Sequence, residues 1–210
     1  MECTAITAYN DLDHMNELID AGLNSVTVSY DENAVDSYRN IKNINAFSLL
    51  EKLNISDKAC VLTACRLNQN SLIQAAEHVL SRGYWFLFDL MHPGQEFGKC
   101  RNALPPPSAE SMHGFLDHLI KRKKQGEKIH PSLRYLEYLK ANFSEDVRSI
   151  WHCKEKNAGW LTVDHDGTIY PCDDYQVDLG YKIWEIGDNW DKVARSKQLA
   201  VVGCRGCAWI

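Results

Sequence analysis

The chain has 210 residues, of which 45% are hydrophobic and 24% are charged, and its net charge is -5 at neutral pH. A chain of this size can bury a sizeable core, and this composition excludes disordered, collagen-like and low-complexity proteins. Because acidic residues outnumber basic ones, the basic surface typical of a general nucleic-acid binder is missing. We therefore expect a packed globular protein with no nucleic-acid partner.

The amino-terminal segment has no basic region followed by a long apolar stretch, as a signal peptide would have. No later run of apolar residues reaches the length of a membrane span. We therefore expect a cytoplasmic protein with no membrane partner. The chain has 8 cysteines, and a reducing cytosol keeps thiols available to metals rather than to disulfides. The spacing of the cysteines is therefore the main question for function.

In the first part of the chain, short strand-like runs alternate with helix-like segments, a pattern typical of βα units. Four strands are predicted, over residues 4–8, 24–30, 59–65 and 84–90. The last of these has apolar residues on both faces, as a buried parallel strand does, and it leads into a polar loop that begins at His92. The order of elements predicts an α/β fold with a parallel sheet.

The predicted helices follow from capping residues and apolar spacing. The first starts after Asn10 or Asp11, and a broken helical stretch covers residues 31–53. Later helices are expected with Asn70 as the cap, with Ser108 as the cap, and with Pro131 in the first turn.

The composition changes after residue 142, where helical periodicity gives way to turns rich in Trp, Gly, Cys and Asp. Strand-like runs flank Asp166-Gly167, which predicts a β-hairpin with its turn at these two residues. We place a domain boundary near residue 145. This gives a βα domain over residues 1–145 and a small cysteine-bearing β domain over residues 146–210, which is too small to fold unaided.

Four cysteines of the small domain predict a metal centre: Cys153, Cys172, Cys204 and Cys207. The last two form a C-x-x-C turn, in which both sulfurs can face one ion or one corner of a cluster. Spacing alone leaves zinc and an iron–sulfur cluster open, because both accept four cysteines. The other cysteines, Cys3, Cys60, Cys65 and Cys100, have no close paired spacing and are expected to be small buried hydrophobes.

Other polar residues have weaker functional interpretations. Asp89, near the end of the fourth strand, and His92, in the loop after it, could act as acid–base groups, although a loop histidine can equally be solvated or capping. Asp164 and Asp166 are expected to be turn-forming residues, because Asx side chains bond the local backbone.

The chain resembles the later part of a radical S-adenosylmethionine (radical SAM) enzyme with a carboxyl-terminal auxiliary cluster domain of the SPASM/twitch type. The most specific stretch is Gly167-Thr-Ile-Tyr-Pro-Cys172, which matches the family's G-x(4)-C element after a first cysteine, here Cys153. Cys204-x-x-Cys207 stands where the family has its C-x-x-C. Residues 7–10, 21–31, 61–68 and 83–89 resemble the third to sixth strands of the family's barrel and their flanking segments.

This resemblance implies a partial radical SAM-type (β/α)6 TIM-like barrel followed by a domain that holds an auxiliary 4Fe-4S cluster. S-adenosylmethionine would lie across the carboxyl ends of the strands, with Ser29, Asp31 and Asn68 at matching cofactor positions. Asp173 stands where one branch of the family has an acidic residue that takes a substrate proton. The alternative for Asp173 is a solvated loop carboxylate.

The family's C-x(3)-C-x(2)-C motif is absent from these 210 residues. Three such cysteines leave one iron open to S-adenosylmethionine, so this chain alone is not expected to form a radical. We expect a fragment or one piece of a split enzyme, whose partner is the missing half of the barrel or a second copy, and whose substrate is a peptide or protein. An unclosed sheet would also leave two open edges that favour self-association.

Two alternatives from other classes remain open. In one, the four cysteines hold a structural Zn²⁺ and the chain is a non-catalytic binding module. In the other, the chain is an ordinary TIM-barrel hydrolase or aldolase, for which Asp31, Asp89 and His92 are the available strand-end groups.

Overall fold

The computed structural model describes residues 4–7, 12–30, 46–91, 105–145, 161–172 and 177–203. The chain divides into two compact units, the first holding the described residues up to 145 and the second those from 161 to 203. The boundary predicted near residue 145 lies where the first unit ends. The assignment of the two units to a radical SAM barrel and a cluster domain stays a prediction.

The first unit contains a four-stranded parallel sheet whose strands follow one another in chain order. Its strands are β1 (Thr4–Thr7), β2 (Ser25–Ser29), β3 (Asp57–Ala64) and β4 (Trp85–Leu90). The predicted α/β class with a parallel sheet is therefore confirmed. Within the described residues the sheet does not close into a barrel.

Five helices of the described residues belong to this unit: α1 (Leu12–Asp20), α2 (Ala46–Lys52), α3 (Leu72–Leu80), α4 (Ala109–Lys124) and α5 (Leu133–Asn142). Crossovers between parallel strands are right-handed, so a sheet in sequential order has its connecting helices on one face. The ring of Phe115 in α4 lies edge-on to Phe86 and Phe88 of β4, with centroids 6.2 and 5.3 Å away. The core of the unit therefore lies between this face and the helices.

The helix-facing side of the sheet is the apolar one. Val28, Cys60 and Phe86 lie side by side in register on β2, β3 and β4, and all three are buried. From the helices, fully buried side chains include Leu49, Leu50, Leu72, Met112, Leu116, Leu119, Leu136 and Leu139. Burial of each such side chain contributes about 1.5–3 kcal/mol, which makes this layer the main source of stability.

The helix caps agree only in part with the sequence prediction. Ser108 caps α4 as expected, because its hydroxyl accepts a hydrogen bond from the Ser111 backbone N–H at 3.3 Å. The prediction that Asn70 caps α3 was wrong, since the N-cap is Ser71. Pro131 was also placed wrongly, because Ser132 caps α5 by accepting from the Tyr135 N–H at 3.1 Å and Pro131 therefore precedes the helix.

One outer edge of the sheet is partly paired. The Phe86 N–H of β4 donates to the Lys128 carbonyl at 2.8 Å, and the Phe86 carbonyl accepts from the His130 N–H at 2.9 Å. The intervening Ile129 forms a parallel bridge with Phe86 and is fully buried. The expectation of two open edges is therefore wrong at this end of β4, because a segment after α4 returns to cover it.

The second unit is built on the predicted hairpin, which is confirmed. Strands β5 (Thr162–Val163) and β6 (Ile169–Tyr170) pair antiparallel. Their turn is closed by the Gly167 N–H, which donates to the Asp164 carbonyl at 2.8 Å. Residues 179–182 run along the other side of β6 through two hydrogen bonds between Ile169 and Leu179 or Tyr181.

A helix that the sequence reading did not predict completes this unit. Helix α6 (Ile186–Ala200) packs onto the hairpin, and its Val193 shares one buried cluster with Ile169 and Leu179. The small domain was expected to be a β domain, so this helix corrects that description. A signal was available in the seven-residue spacing of Ile186, Val193 and Ala200, all of which lie in or against the cluster.

Gly167 is the position of the hairpin that most depends on its residue type. Its φ is +81°, in the left-handed region that favours glycine. A Cβ at this position would lie 2.6 Å from Trp184 Cη2 and closer still to Cζ3. Glycine is therefore needed both for the backbone conformation and for the close approach of the indole ring.

We expect Gly167→Ala to destabilise the second unit by about 2 kcal/mol or more, through left-handed strain and displacement of the Trp184 ring. The measurement is the free energy of unfolding in urea, followed by tryptophan fluorescence. Gly180→Ala is the matched control, because Gly180 has a φ of +78° but a Cβ there would meet open space. Its expected loss is about 1 kcal/mol, and equal losses for the two variants would contradict the ring contact.

Candidate functional site

One candidate site lies where the carboxyl ends of the strands meet. Residues in register on neighbouring parallel strands share a face, so Ser29 lies beside Val61, and Thr63 lies beside Asp89. These side chains are on the face opposite the helices. They are half-buried, in contrast to the buried residues on the helix-facing side.

This second face is rich in small and polar side chains. Ser25 and Thr27 of β2 are buried there, and Ala59 of β3 is beside Thr27. Asp89 is the carboxylate that β4 carries toward its carboxyl end. A polar sheet face with a carboxylate near the strand ends suits a polar ligand, since ligands in open α/β sheets bind at the carboxyl ends of strands. The signal was already visible in the sequence, where Thr27 and Ser29 alternate with Val26 and Val28.

Asn68 lies in the loop after β3 and is only 3% exposed. Its side-chain oxygen accepts from the Cys65 N–H at 2.9 Å, and its side-chain nitrogen donates to the Thr63 carbonyl at 2.8 Å. These bonds fix the end of the strand, so the structure gives Asn68 a role in holding its own loop. Its predicted contact with S-adenosylmethionine stays a prediction, as does that of Ser29.

The loop that contains Asn68 is also joined by hydrogen bonds to residues at the two ends of the α4–α5 segment. Arg66 donates to the Glu145 carboxylate at 2.7 Å and to the Pro106 carbonyl at 3.1 Å, and the hydrogen bond from Arg66 lowers the pKa of Glu145. The Gln69 side chain accepts from the Ser108 N–H at 2.9 Å. This loop is therefore a rigid border of the strand-end site.

Two cysteines, one in β3 and one directly after it, are buried as the sequence predicts. Cys60 and Cys65 are buried and form no disulfide. Burial raises the pKa of the Cys60 thiol to about 12, so at neutral pH it remains protonated. A protonated, buried thiol is a poor metal ligand, which supports the exclusion of Cys60 from the predicted ligand set.

The hairpin of the second unit is held by an ionic network at its turn. Lys182 donates to the Asp166 carboxylate at 2.8 Å and to the Thr168 hydroxyl at 2.6 Å. Asp166 also accepts from the Thr168 N–H at 2.9 Å. Hydrogen bonds from Lys182 and Thr168 hold the pKa of Asp166 well below its usual range, and the bond to Asp166 raises the pKa of Lys182. Asp164 and Asp166 therefore have the turn-forming role that the sequence predicts.

Cys172 is the predicted metal ligand that lies within the described residues. It follows β6 by two positions, is half-buried, and comes directly after the buried Pro171. The other predicted ligands Cys153, Cys204 and Cys207, as well as Asp31, His92 and Asp173, lie outside the described residues. In the part of the chain that the structure describes, no three His, Cys, Asp or Glu side chains are grouped closely enough to hold a metal ion.

No known family model, curated protein or solved structure matches the chain. Among the described residues, the helices are all too short or too polar to cross a membrane.

We expect Asn68→Ala to destabilise the first unit by about 1–3 kcal/mol, because it leaves the Cys65 N–H and the Thr63 carbonyl without their partner in a buried loop. Urea unfolding measures the change. Asn70→Ala is the control on the same loop, since Asn70 is exposed, and its effect should stay within about 0.5 kcal/mol. A loss no larger than that of Asn70→Ala would contradict the role of these two hydrogen bonds in holding the loop.

The turn network predicts a pH dependence. A carboxyl whose pKa is lowered in the folded state stabilises that state above its unfolded pKa of about 3.9, and this contribution is lost as the pH falls below that value. Asp166→Asn keeps an oxygen for the Thr168 N–H but removes the charge. We expect this variant to be less stable than the parent at neutral pH, and the difference to shrink steadily as the pH falls below about 3.9, as measured by urea unfolding at a series of pH values. A constant difference across the range would rule out the charge as the cause.

Proposed function

We propose that the chain is the later part of a radical SAM oxidoreductase that modifies a peptide or protein, and that its second unit binds an auxiliary iron–sulfur cluster. The ligands would be Cys153, Cys172, Cys204 and Cys207. The chain would need a separate source of the cluster that cleaves S-adenosylmethionine, because the motif for that cluster is absent from its sequence.

The observation that carries this proposal is the shared core of the second unit. Ile169, three positions before Cys172, packs with Val193 of α6, and Ala200 near the end of α6 packs against the same cluster. The chain continues from α6 through residues 201–203 to Cys204. One small core thus anchors the segments that lead into two of the predicted ligand positions.

The start of the hairpin is anchored in the same way. Leu161, just before β5, packs against this core, and Cys153 precedes Leu161 by eight positions. One core therefore holds together three separate stretches of chain, each of which precedes or follows a predicted ligand in the sequence. A site formed by cysteines distant in sequence requires such an arrangement. Four thiolates suit a 4Fe-4S cluster, which supplies one-electron chemistry when it is bound.

The first unit supports the part of the proposal that concerns the radical SAM barrel. Its parallel strands follow in chain order with the helices on one face, which is the arrangement of part of a TIM-like barrel. The other face presents Ser29, Thr63 and Asp89 near the carboxyl ends, where S-adenosylmethionine and the substrate would lie. In this proposal these side chains bind and orient polar groups.

Anaerobic reconstitution with iron and sulfide tests the proposal. We expect the purified chain to become brown and to hold about four iron and four sulfide per chain. Cys172→Ser should lose most of this iron. Cys60→Ser is the matched control, since Cys60 is buried in the sheet of the first unit and should leave the iron content unchanged.

The zinc alternative gives a different result in the same experiment. A colourless protein that holds one zinc ion, lost in Cys172→Ser, would favour the structural zinc module. A protein that takes up neither metal would contradict both versions of the site.

A further inference from the structure

Ile183 and Trp184, which follow the hairpin in the chain, form an exposed apolar surface next to its turn. Trp184 is 70% exposed and Ile183 is 43% exposed. Neither residue is loosely held: the Ile183 N–H donates to the Gly167 carbonyl at 2.9 Å, and the Trp184 ring approaches Gly167 so closely that a Cβ there would collide with it. Large exposed apolar side chains in a fixed position are typical of interaction sites rather than of an ordinary surface.

The groups around these two side chains are mainly acidic. Three carboxylates, Asp164, Asp166 and Glu185, lie at the turn or next to Trp184 in the chain. The Lys182 ammonium pairs with Asp166 at 2.8 Å, and the His165 ring lies 2.8 Å from Asp164, so the carboxylates outnumber the basic groups joined to them. Their positions are fixed, because Asp166 bonds Lys182 and Thr168, and Glu185 accepts from the Lys182 N–H at 2.7 Å. Asp164 is likewise held by the His165 N–H at 2.7 Å. The surface is therefore an ordered indole in a negatively charged surrounding.

An exposed indole next to carboxylates indicates which chemical groups a partner must carry. An ammonium or guanidinium group is attracted to the face of an indole, and neighbouring carboxylates add to that attraction. Anionic lipid headgroups and nucleic-acid phosphates would instead be repelled by the same carboxylates. An apolar side chain next to the cation would cover Ile183.

We propose that the hairpin tip, formed by Asp164, Gly167, Ile183 and Trp184, is a docking surface for a segment of another protein in which lysine or arginine stands next to an apolar side chain. The cation lies on the Trp184 ring and near Asp164, and the apolar side chain lies on Ile183. This inference is independent of the proposed cluster, because none of these residues is a predicted metal ligand.

The test is isothermal titration calorimetry of the full chain, without added metal, against a capped synthetic peptide in which lysine alternates with leucine. We expect binding that weakens with added salt, since the charges are exposed and screened. The same peptide with acetylated lysines should bind much more weakly. Trp184→Ala should weaken binding by about fivefold, from the loss of the cation–π contact.

Two further variants separate recognition from folding. Asp164→Asn removes the charge but keeps an oxygen for the His165 N–H, and it should weaken binding by about two- to threefold. Its effect on urea unfolding should be small, because the ion pair that it removes, with the His165 ring, is exposed to solvent. Trp190→Ala is the matched control, because Trp190 is also exposed but lies on α6 and should leave the affinity unchanged. Equal losses for Trp184→Ala and Trp190→Ala, or no binding of the lysine peptide, would overturn the proposal.

Two competing occupants are checked directly. Phosphatidylserine vesicles should not bind, and binding that depends on Trp184 would overturn the choice of a basic protein segment. Sedimentation equilibrium of the chain alone should not show a dimer that Trp184→Ala dissociates, because such a dimer would make a second copy the occupant instead.

Discussion

The first unit depends on the packing of helices onto one face of a parallel sheet. The contacts of Phe115 with Phe86 and Phe88 join α4 to β4, and the buried row of Val28, Cys60 and Phe86 continues this layer across three strands. Because the apolar side chains face the helices, the opposite face of the sheet can carry Thr27, Ser29 and Thr63 without loss of the core. The separation of a structural face from a polar face is what makes a ligand site possible in this unit.

The second unit is stabilised differently, because so few residues cannot build a large core. It joins a two-residue-per-strand hairpin to one helix through a cluster centred on Ile169, Leu179 and Val193. The turn is secured by the Lys182 network and by the contact of Trp184 with Gly167. The proposed metal centre would add to the stability of so small a core, as bound metals do in small metal-binding domains.

The elements that could be predicted from the sequence are those with strong local signals. Alternation in β2 and the Asp166-Gly167 turn determined a strand and a hairpin, and Ser108 determined a helix start, because each depends on neighbouring residues alone. Asn70 and Ser71 are both good cap residues, so the sequence alone does not separate them, and the Ser71 side chain makes no capping hydrogen bond that would have marked it. Helix α6 was missed because its apolar residues are sparse and gain their partners only from distant segments, the hairpin and the stretch around Leu179.

The candidate sites were predictable to a smaller extent, because they depend on pairing between distant segments. The proximity of Thr63 and Asp89 follows from strand register, which no single segment reveals. The rigid placement of Trp184 requires knowledge that its ring meets Gly167, seventeen positions earlier in the chain. The predicted metal centre differs from these sites, because it was inferred from the spacing of the cysteines in the sequence and needs no knowledge of the fold. It stays a prediction.

The bridge between Phe86 and Ile129 has a consequence for how this protein behaves at high concentration. A bare terminal strand is a template on which another polypeptide can add its own backbone and begin fibril growth. At the amino-terminal part of β4 this route is blocked, because both main-chain groups of Phe86 are already occupied by Lys128 and His130. Any strand-by-strand polymerisation from that position would first have to displace Ile129 from its buried location.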